Sequence, residues 1–275
     1  MSGRLPGRGL RLALRIGIIL FIITALLVWL IFGEPGVSGR FNTLGFAFCH
    51  QLPTRTPSFG GVACPLCYRC SGLFFGIAVG FFLFCRRAVS FRSLLGPAPM
   101  IGAISAIVFY AFDGVKNLNR SPLLSGLYPD RPILRCLSGF GLGVWVGLIL
   151  TLMLREFISL ERFSAGRRIG WHDLLIALCL SVVGAYLLLS VDPRWIPIQR
   201  VFGLTLGLIP VTVTGTLFFV LVSGMDRLVR FAGEPLPVWD RVLGAAALTA
   251  LFIGSIIVFR YQVTGGWIRE INALR

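Results

Sequence analysis

Charged residues are scarce in this sequence of 275 residues. Asp, Glu, Lys and Arg together make up 13% of it, only 11 residues are acidic, and lysine occurs once, at Lys116. Hydrophobic residues make up 56%, and the mean hydropathy is +0.86. Soluble globular domains carry about 25% charged residues. The composition therefore excludes a soluble domain of this length and predicts an integral membrane protein.

The sequence also lacks the motifs of several functional classes. No Ser-His-Asp order, phosphate-cradling glycine loop or pair of catalytic carboxylates stands out in it. The arginines flank apolar runs and form no aromatic-interleaved stripe, so we expect no nucleic-acid partner. No Asp, Glu, Lys or Arg lies deep within an apolar run, which argues against proton or ion translocation. The sequence assigns no catalytic residue, and whether the protein is an enzyme stays open.

Seven long apolar runs are present, and most approach the roughly 20 residues that a helix needs to cross a bilayer. They predict an all-α, polytopic transmembrane helix bundle of about seven spans in the lipid bilayer, with residues 1–275 as a single membrane domain. The second run is short, so its helix is expected to extend backwards into Cys67–Cys70. The runs are Ile16–Phe32, Ser71–Phe84, Leu94–Phe112, Ile133–Leu154, Leu174–Val191, Val201–Val222 and Val242–Phe259.

The distribution of arginine predicts the orientation. The short segments that lie on the same side of the membrane as the amino terminus carry the denser basic charge, as the positive-inside rule expects of cytoplasmic segments. We therefore expect a cytoplasmic-membrane protein with its amino terminus in the cytoplasm and the loop between spans one and two outside. The first run is longer than a signal-peptide core and no convincing cleavage site follows it, so it is interpreted as a span. Phe41–Phe48 is interpreted as an interfacial or re-entrant segment.

This outer loop carries the residues that are most suited to chemistry. Cys49, His50, Cys64, Cys67 and Cys70 fall within 22 positions. Thiolates and an imidazole in a turn-rich loop suit tetrahedral zinc, and thiolate-rich sites also suit copper or iron. Two ligand sets fit the sequence: the four cysteines as a closed structural site, or a set in which His50 replaces one thiolate. An open position on the metal would allow it to activate water.

Three other interpretations remain open. The protein is a membrane thiol-disulfide oxidoreductase if Cys67-x-x-Cys70 is redox-active, since Arg69 and a helix start both lower a thiol pKa. The loop cysteines are plain structural disulfides in the second interpretation. In the third, the protein is a transporter or handles lipid headgroups, because polar residues near spans three and four can hold an anionic lipid or phosphate. Those residues are Asp113, Lys116, Arg131 and Arg135.

Two rows of glycines recur at four-residue spacing. Gly72, Gly76 and Gly80 lie on one face of span two, and Gly139, Gly143 and Gly147 lie on one face of span four. Such rows let helix backbones approach closely in lipid, although glycine is also simply common in membrane helices. If the rows pack together, they bring Cys67–Cys70 close to Arg135.

Several of these motifs resemble DUF2085, a prokaryotic membrane-protein family of undetermined function. The similar stretches are Cys-His-Gln-Leu-Pro-x-Arg at 49–55, Cys-x-Arg-Cys-x-Gly at 67–72, Asp113-Gly114, and Arg135-x-x-Ser-Gly. The resemblance covers roughly residues 45–150. It implies Cys49, His50, Cys67 and Cys70 as the thiol and imidazole set. It also implies Asp113 and Arg135 as recurring polar residues. We add Gln51, Arg55 and Arg69, which lie within the similar stretches, as candidate supporting polar residues.

This sequence departs from the family pattern at two positions. It has an additional cysteine at Cys64, and it has Pro132 where an asparagine is expected before the arginine. Because the family set lacks Cys64, the resemblance favours the ligand set that contains His50.

Overall fold

In this computed structural model the chain is built almost entirely from helices. The structure describes residues 8–33, 35–85, 96–118, 131–158, 169–190, 192–229 and 236–264. The helices are α1 (Arg8–Phe32), α2 (Gly36–Phe46), α3 (Tyr68–Cys85), α4 (Pro97–Leu118), α5 (Pro132–Ile158), α6 (Trp171–Leu189), α7 (Ile196–Val229) and α8 (Val238–Thr264). Between α2 and α3 lie a 3-10 turn at Pro53–Arg55 and a two-stranded hairpin of β1 (Ser58–Phe59) and β2 (Val62–Ala63), and a second 3-10 turn at Pro193–Trp195 precedes α7.

The seven predicted spans are confirmed in the described residues. All of these helices except α2 are long and apolar enough to cross a membrane. The backward extension of span two is also confirmed, because α3 begins at Tyr68 and so includes Cys70. The predicted limits Leu94 and Val191 lie outside the described residues. The short helix α2 overlaps the segment that is predicted to be interfacial, and that role stays a prediction.

The chain divides into two compact units, Phe48–Ile209 and Met1–Ala47 with Pro210–Arg275. The second of these joins α1 to α8, where Arg15 makes a bidentate ion pair with Asp240 at 2.5 and 2.9 Å. The guanidinium of Arg260 lies 4.4 Å from the ring centroid of Phe46 in the same unit. The single domain that the sequence predicts stays a prediction.

Unit Phe48–Ile209 is centred on the contact between α3 and α5. The two glycine rows face each other there, and the backbones touch because no side chain separates them. A Cβ added at any of the six glycines would overlap a backbone carbonyl oxygen of the other helix. The pairs are Gly72 with Cys136, Gly76 with Phe140, Gly80 with Val144, Gly139 with Arg69, Gly143 with Leu73, and Gly147 with Ile77.

These contacts fix the direction of the helices. The residue numbers of the pairs rise together along α3 and α5, so the two helices are parallel and their amino-terminal ends lie side by side. Helix α4 runs the other way, because Gly114 near its carboxyl end lies against the Arg69 side chain at the start of α3. Trp145 and Leu148 of α5 pack with Phe84 of α3 in the hydrophobic core towards the opposite end. The polar residues of all three helices therefore gather at one end of the unit.

Candidate metal centre

A reversal of the chain at Gln51 positions Cys49 and His50. Gln51 has a φ of +50°, a left-handed conformation that is uncommon for residues other than glycine. Its side chain Nε2 donates a hydrogen bond of 2.8 Å to the carbonyl oxygen of Pro65. Phe48 packs edge-on against Phe74 of α3, with ring centroids 6.1 Å apart. These contacts hold the Cys49 segment against the residues that precede α3.

The β1–β2 hairpin returns the chain to the start of α3. Gly60 and Gly61 form its two-residue turn, and both have positive φ, +56° and +78°. A two-residue turn with φ above zero at both positions matches the right-handed twist of the strands, and glycine adopts it without strain. Arg200 of α7 donates hydrogen bonds to the carbonyl oxygens of Phe59, at 3.1 Å, and Gly60, at 2.8 Å. The hairpin is thereby fixed to the helices of its own unit.

Three thiols converge where these segments meet. The Sγ atoms of Cys49, Cys67 and Cys70 all lie within 4.8 Å of one another, and this is the group suited to hold a metal ion within the described residues. Cys67 directly precedes α3 and Cys70 lies in its first turn, so their i, i+3 spacing places both on one face. The backbone N–H of Cys67 also donates to Cys49 Sγ at 3.2 Å. Cys49 and Cys67 are buried, and all seven cysteines are free thiols.

Hydrogen bonds among the clustered thiols shift the pKa values of Cys49 and Cys67 in opposite directions. The Cys49 thiol donates to Cys67 Sγ, which lowers the pKa of Cys67 below its ordinary value, and hydrogen bonds from Cys70 and His50 act in the same direction. The same Cys49–Cys67 hydrogen bond is the main cause that raises the pKa of Cys49 to about 12. Of the two thiols, Cys67 is therefore the one whose thiolate the hydrogen bonds stabilise, and thiolate is the form that binds metals or attacks disulfides.

His50 lies at the edge of the cluster. Its ring is exposed, and Nδ1 lies 3.5 Å from Cys49 Sγ. It is not among the atoms that share the 4.8 Å limit. Rotation of an exposed ring next to Cys49 requires no repacking, so His50 can move towards the three thiols.

Cys64 lies outside the three-thiol cluster. Its backbone N–H donates to the carbonyl oxygen of Pro57 at 2.8 Å, which holds Cys64 at the end of the hairpin. Its Sγ is 4.0 Å from the hydroxyl of Ser71, and a Cβ added at Gly203 of α7 would lie 3.3 Å from it. Burial raises the pKa of Cys64 to about 11. Of the four cysteines from Cys49 to Cys70, the structure thus brings three together, whereas the sulfur of Cys64 lies near Ser71 and Gly203.

A buried ion pair lies beside the thiols. Asp113 of α4 is only 1% exposed, and its Oδ2 is 3.4 Å from Arg69 Nε. Ser138 of α5 donates to the same oxygen at 3.3 Å. The Arg69 guanidinium also lies 3.7 Å from the ring centroid of Tyr110 and donates to the Tyr110 carbonyl oxygen. A Cβ at Gly114 would lie 2.9 Å from Arg69 Nη2, so the missing side chain there makes room for the guanidinium.

The thiols and the basic residues line one pocket of about 240 Å³. It contains most of the residues that the sequence predicts for the site, although Arg131 is exposed and does not line it, and the side chain of Lys116 lies outside the described residues. Sequence reasoning missed Tyr110, since no motif or spacing links it to the cysteines. The lining residues are Phe48, Cys49, His50, Arg55, Cys67, Arg69, Cys70, Tyr110 and Arg135.

Comparison with known proteins supports the resemblance that the motifs indicate. Residues 49–149 match the model of the family described as predicted membrane protein, DUF2085. The match begins at Cys49 and includes the three clustered thiols, Asp113 and Arg135. Spans five to seven lie outside it. The chain matches no curated protein and no solved structure.

Proposed function

We propose that this protein is a membrane metalloprotein in which the thiolates of Cys49, Cys67 and Cys70 bind a zinc ion. The observation that carries the proposal is the convergence of three free thiols within 4.8 Å. Tetrahedral zinc with Zn–S distances of about 2.3 Å holds its sulfur ligands about 3.8 Å apart. The thiols therefore need to approach one another by only about 1 Å to bind the ion.

His50 is the proposed fourth ligand. Its exposed ring lies beside Cys49, and neutral imidazole is a common partner of thiolates on zinc. Cys64 is the weaker candidate, because it is buried with its sulfur near Ser71. Copper(I) accepts the same donors, so the metal has to be identified by analysis.

The surrounding charges suit a bound metal. One zinc ion with three thiolates and a neutral imidazole carries a net charge of −1. Arg69 and Arg135 line the same pocket and offset that charge. Charges of opposite sign at short range stabilise each other strongly where water is partly excluded.

The test is the metal content of the detergent-purified full chain. We expect about one zinc ion per chain, lost in Cys49→Ser and in Cys67→Ser. Cys64→Ser is the matched control, since it removes a buried thiol of the same loop that lies outside the cluster, and it should keep the metal. Full metal content in both the Cys49 and the Cys67 variants would contradict the assignment.

The thiolate character of Cys67 favours a second candidate function, thiol-disulfide exchange. A thiolate with two neighbouring thiols is the arrangement that attacks a disulfide and is then resolved by a second cysteine. In that case a Cys70→Ser variant should accumulate mixed disulfides with a partner protein, and the purified protein should contain no metal. A metal-containing protein without trapped partners would leave only the metal proposal.

We also propose the location and the ligand of this site. The arginine distribution supports a cytoplasmic-membrane protein with the thiol cluster on the outer face and the amino terminus in the cytoplasm. The arginines of the pocket support an anionic lipid headgroup or a phosphate as its ligand.

A further inference from the structure

The pocket beside the thiol cluster is strongly basic. Its lining includes three arginines from three different elements: Arg55 from the 3-10 turn, Arg69 from the start of α3, and Arg135 from the first turn of α5. Guanidinium groups from separate directions can surround a single anion and match its oxygen atoms with paired donors.

Among the residues that the structure describes, the negative charges at the pocket do not balance the positive ones. Asp113 lies behind Arg69 and supplies one negative charge. With zinc bound as proposed above, by three thiolates and a neutral imidazole, the thiol cluster supplies one more. Against the three guanidinium groups, the described residues then leave a net charge of about +1.

Arg69 and Arg55 differ in the number of contacts that their guanidinium groups make within the protein. Arg69 is held by Asp113, by the Tyr110 ring and by the Tyr110 carbonyl oxygen. The guanidinium of Arg55 is half-buried and makes no hydrogen bond or ion pair to the residues that the structure describes. A half-buried cation that faces a basic pocket is stabilised by an anion from outside the chain.

The helices around the pocket add to its positive potential. The amino-terminal ends of the parallel helices α3 and α5 lie side by side at this end of the unit. Each end carries about half a positive charge from its unpaired N–H groups, and such ends attract phosphate and carboxylate groups. Arg69 and Arg135 lie in or next to these first turns.

The size of the pocket limits the ligand. Its volume of about 240 Å³ is below the ~300–1,000 Å³ typical of pockets for drug-sized molecules. A phosphate group fits such a volume, either as a free ion or as the headgroup of a lipid whose tails stay in the bilayer.

We infer that the pocket is a phosphate-binding site in which Arg55 and Arg135 bind the anion and Arg69 supports it from the side of Asp113. The inference deepens the proposed function, because it gives the metal centre an anionic ligand next to it. Arg55 is the specificity-determining residue, since it has no other partner among the described residues. Arg55→Gln should therefore weaken anion binding while the thiols keep their metal.

The test measures binding of inorganic phosphate to the purified full chain by calorimetry, with metal content determined on each preparation. Arg55→Gln should weaken binding by about tenfold or more, because it removes a charged hydrogen-bond donor to the anion. Arg131→Gln is the matched control: it removes an exposed arginine four residues before Arg135 that does not line the pocket, and it should bind normally.

A second arm separates the two sources of phosphate. The protein is reconstituted in nanodiscs of phosphatidylcholine with or without phosphatidylglycerol, and retained lipid is identified by native mass spectrometry. Retention of phosphatidylglycerol that depends on Arg55 supports a lipid headgroup, and binding of inorganic phosphate that depends on Arg55 supports a free anion. Binding of neither, or equal loss in the Arg55 and Arg131 variants, would overturn the inference. Normal phosphate binding by a metal-free preparation would instead contradict only the metal proposal.

Discussion

At the scale of single residues, each clustered thiol is positioned by a different local feature. Cys49 depends on the left-handed backbone of Gln51, which turns the chain back towards Pro65. Cys67 lies where a backbone hydrogen bond to Cys49 Sγ joins the two segments, and Cys70 is carried by the first turn of α3. A substitution beside the site can therefore change the metal affinity without removing a ligand.

Gln51→Ala tests this dependence. We expect zinc affinity to fall by about tenfold, the lower end of the effect of removing a group that orients ligands. The loss follows because the side-chain hydrogen bond to Pro65 disappears while the strained φ remains. Affinity is measured by competition with a chromophoric chelator, with Thr54→Ala, an exposed position of the same loop, as the control. An unchanged affinity would show that the reversal at Gln51 does not position Cys49.

Cys64 is predicted to be unreactive towards alkylating reagents at neutral pH. Its burial raises the pKa to about 11, so the thiol stays protonated at pH 8, and alkylation requires the thiolate. Peptide mapping after treatment with iodoacetamide should find Cys64 unmodified in the folded protein between pH 7 and 9 and modified after denaturation. Because the shift is upward, reactivity in the folded state should appear only as the pH approaches about 11. Rapid alkylation at pH 7 would contradict the burial of this thiol.

The cysteine spacing identifies the ligand candidates but does not separate Cys64 from the rest; only the family resemblance set Cys64 apart. Cys64–Cys67 and Cys67–Cys70 have the same two-residue spacing, so local spacing favours both equally. The difference arises from the hydrogen bond between Cys64 and Pro57 and from the contact of Cys64 with α7, a helix more than 130 residues further along the chain. Tyr110 escaped prediction for the same reason, since only the packing of α4 brings it under Arg69.

At the scale of the elements, the parallel pair α3 and α5 is the scaffold of the site. The two glycine rows were visible in the sequence, and the spacing alone indicated a close helix contact. The partner and the direction were not determined by that spacing, because a row of small residues accepts several partners. The rising pairs from Gly72 with Cys136 to Gly80 with Val144 supply this information.

Gly76→Ala should destabilise this scaffold. The added methyl group overlaps the carbonyl oxygen of Phe140, a backbone atom that cannot move without separating the helices. We expect a loss of about 1–3 kcal/mol in the free energy of unfolding, the usual range for overpacking. The measurement is thermal denaturation in detergent.

Gly254→Ala provides the matched control for this substitution. A Cβ at Gly254 of α8 meets nothing within 4 Å in the described structure. The exchange should therefore leave stability unchanged or raise it by up to about 1 kcal/mol, the difference in helix propensity. Equal melting temperatures for the Gly76 and Gly254 variants would contradict the close contact of α3 and α5.

At the scale of the whole molecule, the directions of the helices agree with a membrane topology. Spans two and four, formed by α3 and α5, are parallel, and span three, formed by α4, runs against them. Alternation of this kind places the starts of α3 and α5 on the same side of a bilayer. Hydropathy predicted the number of spans. A segment that crosses lipid must satisfy its backbone hydrogen bonds internally as a helix, so each apolar run of sufficient length indicates one helix. It could not predict the two compact units, which depend on contacts between distant segments.

Labelling of intact cells tests the proposed orientation. Ser58→Cys, on the exposed edge of the hairpin, should react with a membrane-impermeant maleimide. Gly170→Cys, directly before α6, should react only after the cells are permeabilised, because it lies in the segment between spans four and five. A Cβ at Gly170 meets nothing within 4 Å, so there is room for the start of the new side chain. The reverse pattern would place the thiol cluster in the cytoplasm.

The most direct test of the central claim is zinc K-edge X-ray absorption spectroscopy of the purified full chain. We predict three sulfur ligands at about 2.3 Å and one nitrogen ligand at about 2.0–2.1 Å, and His50→Ala should remove the nitrogen while the three sulfurs remain. Four sulfur ligands would assign the fourth position to Cys64 instead of His50. The absence of sulfur from the first shell, or of bound metal altogether, would contradict the proposal that Cys49, Cys67 and Cys70 form a metal centre.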